Sequence, residues 1–162
     1  TKPIQIEQIV QILTHWTTEH FKRLPVLERA HVIDALDPNI LDWQQSLQLA
    51  ANKEDLAVDL LRMLVDSFAD ERIEMQQLIE LEDFPQLEHV LHRLYGATRY
   101  VGAPTLQKVT GRFEQFVSTL RKERRKADEN FVQDVLKHFD ELKAVVEQVE
   151  QAAQQILKQH LN

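Results

Sequence analysis

Two residues in this chain of 162 have the types and spacing to do chemistry together, a nucleophile and an acceptor that could orient it: His92 and Glu114. Read at about 100° per residue, Leu87, Leu91, Leu94, Thr98 and Val101 form one stripe of a helix that faces a core. His92 points the other way, ~150° from the centre of that stripe, with Gly96 one turn on and Arg99 two turns on along the same solvent-facing line. Glycine in mid-helix costs about 0.8–1 kcal/mol relative to alanine, so its place beside an exposed imidazole implies that something approaches that imidazole closely. A nucleophilic imidazole needs one nitrogen free for attack and the other oriented by an acceptor. If a helical hairpin turns at about Ala103, His92 lies eleven residues before the turn and Glu114 eleven after, at the same height on antiparallel neighbours. Gln107, Gly111 and Glu114 then share one flank of the second helix at i, i+4 and i+7 spacing. Histidines on helix surfaces are commonly just solvated polar groups, and His15, His20, His89, His138 and His160 are read that way. His89, one turn before His92, is the competing candidate. Glu28 and His31 form an E-x-x-H half-motif of a carboxylate-bridged metal site, but a second such motif is needed and the chain offers none, so no metal site is expected.

The elements that must position this pair are helices. With 3 Gly, 5 Pro and long stretches free of breakers, the composition favours an all-α protein and leaves little room for strands. Near the N-terminus Ile6, Ile9, Val10, Leu13 and Trp16 repeat at helical spacing. Residues 23–39 read as a linker, interrupted by Pro25 and Pro38. A short helix over Ile40–Ala51 can lie across the end of a bundle, with Trp43 as a structural anchor. Asn52 is the expected N-cap of a long helix, with Glu54 and Asp55 in its first turn, running to about Glu80 with Leu56, Leu60, Leu64, Phe68, Met75, Leu78 and Ile79 inward. Pro85 and Pro104 are placed to open the next two helices. In the second of these, Leu106, Val109, Phe113, Phe116, Val117 and Leu120 face inward to about Glu123. The basic run Arg121–Lys126 offsets that helix's C-terminal dipole. A last helix from Asp128 to about Leu161 carries a heptad: Val132, Phe139, Val146 and Ala153 at one position, Val135, Leu142, Val149 and Ile156 at the other. At about 50 Å it should overhang its partners. The expectation is an antiparallel four-helix bundle, its helices starting near Asn52, Phe84, Ala103 and Asp128, with a short capping helix and an extra N-terminal helix.

The run His92, any residue, Leu94, any residue, Gly96, followed by Gly102 and Leu106, is similar to the signature of histidine-containing phosphotransfer (HPt) domains. The flanks ILDWQQSLQLAANKEDLAVDLLRMLVDSF and GAPTLQKVTGRFEQFV resemble the HPt module that closes BarA/GacS-type hybrid sensor kinases, over roughly Ile40–Leu161. TKPI and the helix after it resemble the end of a receiver domain, Lys2 standing for the lysine that contacts the phosphoryl group and Pro3 for the proline that follows it in a cis bond. That resemblance divides the chain into a receiver remnant (1–22), a linker (23–39) and an HPt bundle (40–162). It implies that His92 accepts a phosphoryl group from a receiver's aspartyl phosphate and passes it to a response regulator's aspartate. Glu114 would take the Nδ1 proton and leave Nε2 as nucleophile. The commonest pattern has a basic residue three after the histidine, where this chain has Tyr95. Arg93 and Arg99 are the candidates to replace its charge. Gly96, Tyr95, His89, Gln107 and Gly111 would line the surface where a receiver docks. The chain would need no cofactor of its own, and Mg²⁺ would belong to the receiver. The parent protein would be anchored in the inner membrane with this part in the cytoplasm. A helical adaptor that binds receivers without being phosphorylated is the alternative.

Other classes of function are excluded on composition. The absence of cysteine removes disulfide, thiolate-metal and redox roles. A formal charge of -7 repels a phosphate backbone, which speaks against nucleic acid as a partner. No apolar run approaches the ~18 residues of a membrane span. There is neither a P-loop nor a glycine-rich lid for a nucleotide. The apolar stripe of the N-terminal helix, without a receiver sheet to cover it, would seek the overhang of the last helix or a second copy in a homodimer.

Overall fold

The structure, a computed structural model, describes residues 36–123 and 129–160, within which every regular element is helical. The helices are α1 (Trp43–Leu49), α2 (Glu54–Glu80), α3 (Phe84–Ala97), α4 (Pro104–Lys122) and α5 (Glu129–Leu157), with short 3₁₀ turns over Thr98–Tyr100 and Lys158–His160. Helices α2 to α5 form an antiparallel bundle in which each packs on its chain neighbour and α5 closes the ring against α2. Expected stripes become the core: Leu87, Leu91 and Leu94 of α3, Leu106, Val109, Phe113 and Val117 of α4, and Val135, Phe139, Leu142, Val146, Val149, Ala153 and Ile156 of α5 are all buried. Each large apolar side chain so buried is worth about 1.5–3 kcal/mol, more than the helical cost of one exposed glycine. No helix among the described residues is long and apolar enough to cross a membrane.

Local chemistry sets the helix ends. Asp42 caps α1 by accepting from the Gln45 amide, and Asp83 caps α3 by accepting from the Gln86 amide, with Pro85 in the first turn. The start of α2 departs from expectation. Asn52 is not its N-cap: it adopts a left-handed conformation with φ of 60°, following Ala51 at 56°, and Lys53 takes the cap position with no side-chain bond. The connection from α1 reverses in two residues, and asparagine serves it by tolerating positive φ. Leu64, Phe68, Met75 and Ile79 face inward as expected, and only the first two turns of α2 are rotated from the expected face. Ala57, Val58 and Leu61 are buried while Leu56 and Leu60 are only half-buried at its edge.

α2 has 27 residues and α5 has 29, against 14 in α3, so the two long helices run on together past the α3–α4 turn. Arg72 of α2 reaches Glu150 of α5 at 2.6 Å, and toward the end of α5 Val149, Ala153 and Ile156 stay buried. The last helix thus overhangs the shorter α3, as its length implies, and its apolar residues there are already buried within the described residues. The segment Leu36–Ala50 packs beneath the α3–α4 turn, with Leu41, Trp43 and Ala50 in the core. It grips that turn: the Asp42 amide donates to the Gly102 carbonyl (2.6 Å), the Gly102 amide to Ser46 Oγ (2.9 Å), and Thr105 Oγ1 to the Asn39 carbonyl (2.6 Å). A linker ending at 39 thus cuts into a packed segment. The receiver remnant with Lys2 and Pro3, the apolar N-terminal helix and its homodimer, the Glu28–His31 pair and the second half of the Arg121–Lys126 run lie outside the described residues.

Candidate functional site

α3 sits between α2 and α4, and residues on its outer face meet one or the other. His92 is in mid-helix with its side chain 76% exposed, because Leu91 and Leu94 turn inward on either side of it. Its Nδ1 lies 2.7 Å from Glu114 Oε1 on α4, a residue far less exposed than the histidine. An ionised carboxylate can only accept, so Nδ1 carries the proton and donates it. In a neutral imidazole so held, Nε2 is the nitrogen that keeps the lone pair. The hairpin register therefore brings His92 and Glu114 together at the same height.

Around this pair the candidate residues separate into three groups. Gly96, one turn on, meets nothing: a methyl built on it has no heavy atom within 4 Å. Its missing side chain serves no packing need among the described residues. Tyr95 turns toward α4, where its ring rests on Gly111; a methyl there would come within 3.0 Å of Tyr95 Cε2. Arg99 extends over the same ring, with Cζ 5.3 Å from the centroid. Tyr95, Gln107, Gly111 and Glu114 also line a shallow groove along α4. Arg93 lies on the opposite flank. It donates to Glu74 Oε2 at 3.0 Å and approaches Glu71 Oε1 at 3.9 Å, both on α2. His89 is exposed, and Glu88 beside it is held by Arg121 at 2.7 Å.

Two residues escaped the reading of the sequence. Glu71 is buried, with burial pushing its carboxyl above the usual carboxylate range while the Arg93 guanidinium pulls the other way. The signal was present, since Glu71 falls on the inward line of Leu64, Phe68 and Met75 at helical spacing. His138 is the other. It is not a solvated surface group: it stacks on Phe113 at 5.5 Å between ring centres and packs against Phe116 at 4.6 Å. Its spacing placed it at the rim of the α5 heptad, and only the neighbouring α4 aromatics made that rim apolar. Among the described residues no group of three or more histidines and carboxylates is arranged to hold a metal ion.

Residues 59–156 match the family model of the Hpt domain. The chain is 36% identical over 148 residues to the sensor protein GacS of Pseudomonas syringae pv. syringae, a match covering 89% of this chain and 16% of that protein. It is 29% identical over 144 residues to the signal transduction histidine-protein kinase BarA of Escherichia coli K12, covering 87% of this chain and 15% of BarA. It thus spans about one-sixth of the length of these curated relatives. A crystal structure of the HPT domain from the Hpt sensor hybrid histidine kinase of Shewanella superposes with a TM-score of 0.64 at 29% identity, covering 76% of this chain and 97% of that one. With the helical bundle, the His92–Glu114 pair and a family match over most of the chain, this protein belongs to the Hpt domain family, the phosphorelay modules of two-component signalling.

Proposed function

We propose that His92 is the phosphoryl acceptor of this domain and that Glu114 orients it. The 2.7 Å contact from Nδ1 to the Glu114 carboxylate carries this assignment, because it fixes the tautomer that leaves Nε2 nucleophilic. The Nε2 lone pair attacks the phosphorus of an aspartyl phosphate on a receiver domain, and the P–O bond to the aspartate breaks with its electrons leaving on the carboxylate. The Nδ1 proton stays on the ring, where Glu114 balances the positive charge that the ring gains. The reverse attack by a response regulator's aspartate completes the relay. Mg²⁺ and the acidic pocket that binds it belong to the receiver, and this chain contributes no cofactor. Gly96 leaves a bare stretch of helix beside the imidazole for the receiver's pocket to close on. The donor is a receiver of the same kinase and the acceptor a separate response regulator. The parent kinase is anchored in the inner membrane, with this module in the cytoplasm.

The test is transfer of labelled phosphoryl from a charged receiver to the wild-type chain, His92→Gln and His89→Gln. Label is expected in the wild type and in His89→Gln, absent in His92→Gln, acid-labile and base-stable. Label kept in His92→Gln and lost in His89→Gln would move the acceptor by one helical turn. Receiver binding with no label in any variant would make the domain an adaptor.

A further inference from the structure

Nearly every arginine among the described residues is engaged by a carboxylate: Arg62 by Asp59, Arg72 by Glu150, Arg93 by Glu74 and Glu71, Arg112 by Glu141 and Arg121 by Glu88. Arg99 is the exception. Its guanidinium lies instead over the Tyr95 ring, and that ring lies on Gly111 of α4. An alanine at 111 would press on Tyr95 Cε2, so the glycine is what lets the ring sit flat against α4. Arg99 belongs to the 3₁₀ turn that follows α3, four residues after Tyr95, and to reach the ring its side chain leans back toward the N-terminus of α3. Its charge is thereby carried to the height of residue 95, one turn from His92. Gly96 puts no side chain between them.

We propose that Arg99, held on the platform of Tyr95 and Gly111, is the cation that meets the phosphoryl group on His92 Nε2. It does the work of a basic side chain at position 95. This rests on the reading of His92 as phosphoryl acceptor. Three features suit Arg99 to the role. A guanidinium presents paired N–H donors matched to phosphoryl oxygens. A ring face holds that group without neutralising it, as a carboxylate would. No anion has to be displaced before the phosphoryl group binds. Arg93, nearer in sequence, fails on the last count because two carboxylates of α2 hold it on the other flank. Tyr95 and Gly111 are positioning residues that act through Arg99.

A small donor isolates the contribution of this chain from that of a receiver. With phosphoramidate, the Nε2 lone pair attacks phosphorus, the P–N bond of the donor breaks, and its nitrogen leaves as ammonia. The Nδ1 proton remains between His92 and Glu114, and Arg99 neither gains nor loses a bond. Initial rates of phosphohistidine formation by phosphorus NMR are compared for the full chain, Arg99→Gln, Arg99→Lys, Tyr95→Leu and the double variant Tyr95→Lys with Arg99→Gln. Arg99→Gln should be slowed about tenfold with its helical circular dichroism unchanged, Arg99→Lys less, and Tyr95→Leu by several-fold. The double variant should recover most of the rate, because it returns a cation to position 95; a merely structural arginine would not be rescued this way. A wild-type rate in Arg99→Gln, or a loss that the double variant fails to recover, overturns the proposal. His92→Gln separates the two readings. Label in the wild type that is lost in His92→Gln but unchanged in Arg99→Gln removes only the role of Arg99, whereas label that survives in His92→Gln removes the acceptor assignment as well.

Discussion

At the scale of single residues, the site places one strong hydrogen bond beside an otherwise open imidazole. A hydrogen bond to a charged acceptor is worth about 1.5–3 kcal/mol, so Glu114→Ala should slow phosphoryl transfer about tenfold or somewhat more without abolishing it. Thermal unfolding should be little changed, since the pair lies on the surface; an unaltered transfer rate would mean that another group orients the ring. Glu71 makes a different prediction. Its carboxyl is raised from the ordinary value of 4.5, first by burial, with Arg93 opposing. The folded chain therefore holds the proton to higher pH than the unfolded chain does. Stability from this group is fully present below the unfolded value and is lost as pH rises through the raised one. The wild type should lose more stability than Glu71→Gln between pH 4.5 and pH 7, as measured by denaturant unfolding at the two values. An equal loss in both would show that Arg93 offsets the cost of burying the carboxylate.

At the scale of elements, two glycines in one hairpin answer to opposite demands. Gly102 lies at the α3–α4 turn under the Leu36–Ala50 segment, and a methyl there would collide with the Asp42 carbonyl oxygen and press on Ser46 N at 3.0 Å. Gly102→Ala should destabilise the bundle by about 1–3 kcal/mol, because the obstacle is backbone and cannot swing aside. Gly96 is in α3 with open space around it. Gly96→Ala should raise stability by about 0.5–1 kcal/mol, the gain in helix propensity, while slowing transfer from a receiver that must approach that surface. Melting curves and receiver-dependent labelling of the two variants check both halves. A Gly96→Ala domain that is more stable and fully active would show that nothing closes on the helix there.

At the scale of the whole molecule, the bundle makes its own cover. The two long helices pair beyond the hairpin turn, and the Leu36–Ala50 segment fills the space beneath it. Every residue of the proposed chemistry lies on α3, its 3₁₀ turn or α4. Deleting residues 1–23 should therefore leave the bundle folded and His92 phosphorylation nearly intact. Cutting instead before Trp43 removes Leu41 from the core together with the bonds from Asn39 and Asp42 to the hairpin, and should lower the melting temperature markedly. Loss of transfer in the shorter deletion with the bundle still folded would make the N-terminal segment part of the active module.

The sequence by itself determined the class of the fold, the number of bundle helices and the pairing of His92 with Glu114. Each follows from short-range rules: a 3.6-residue period decides which side chains are buried, prolines mark helix starts, and a hairpin of known turn position equates heights on its two arms. The resemblance to HPt domains marked Tyr95 as standing where a basic residue is commonest, but it did not decide which cation takes its place. Tertiary structure alone decided what depends on which flank of α3 meets which neighbour. Arg93 and Arg99 are equally cationic in the sequence, yet α2 presents Glu71 and Glu74 to one while α4 presents Gly111 to the tyrosine beneath the other. The same holds for His138, whose surroundings are aromatic only because α4 turns Phe113 and Phe116 toward it, and for Asn52, whose left-handed geometry comes from a two-residue reversal between α1 and α2. Periodicity assigns a residue to a face of its own helix, but the identity of the side chains opposite that face is set by how the helices are rotated against one another, and that rotation is a property of the assembled core.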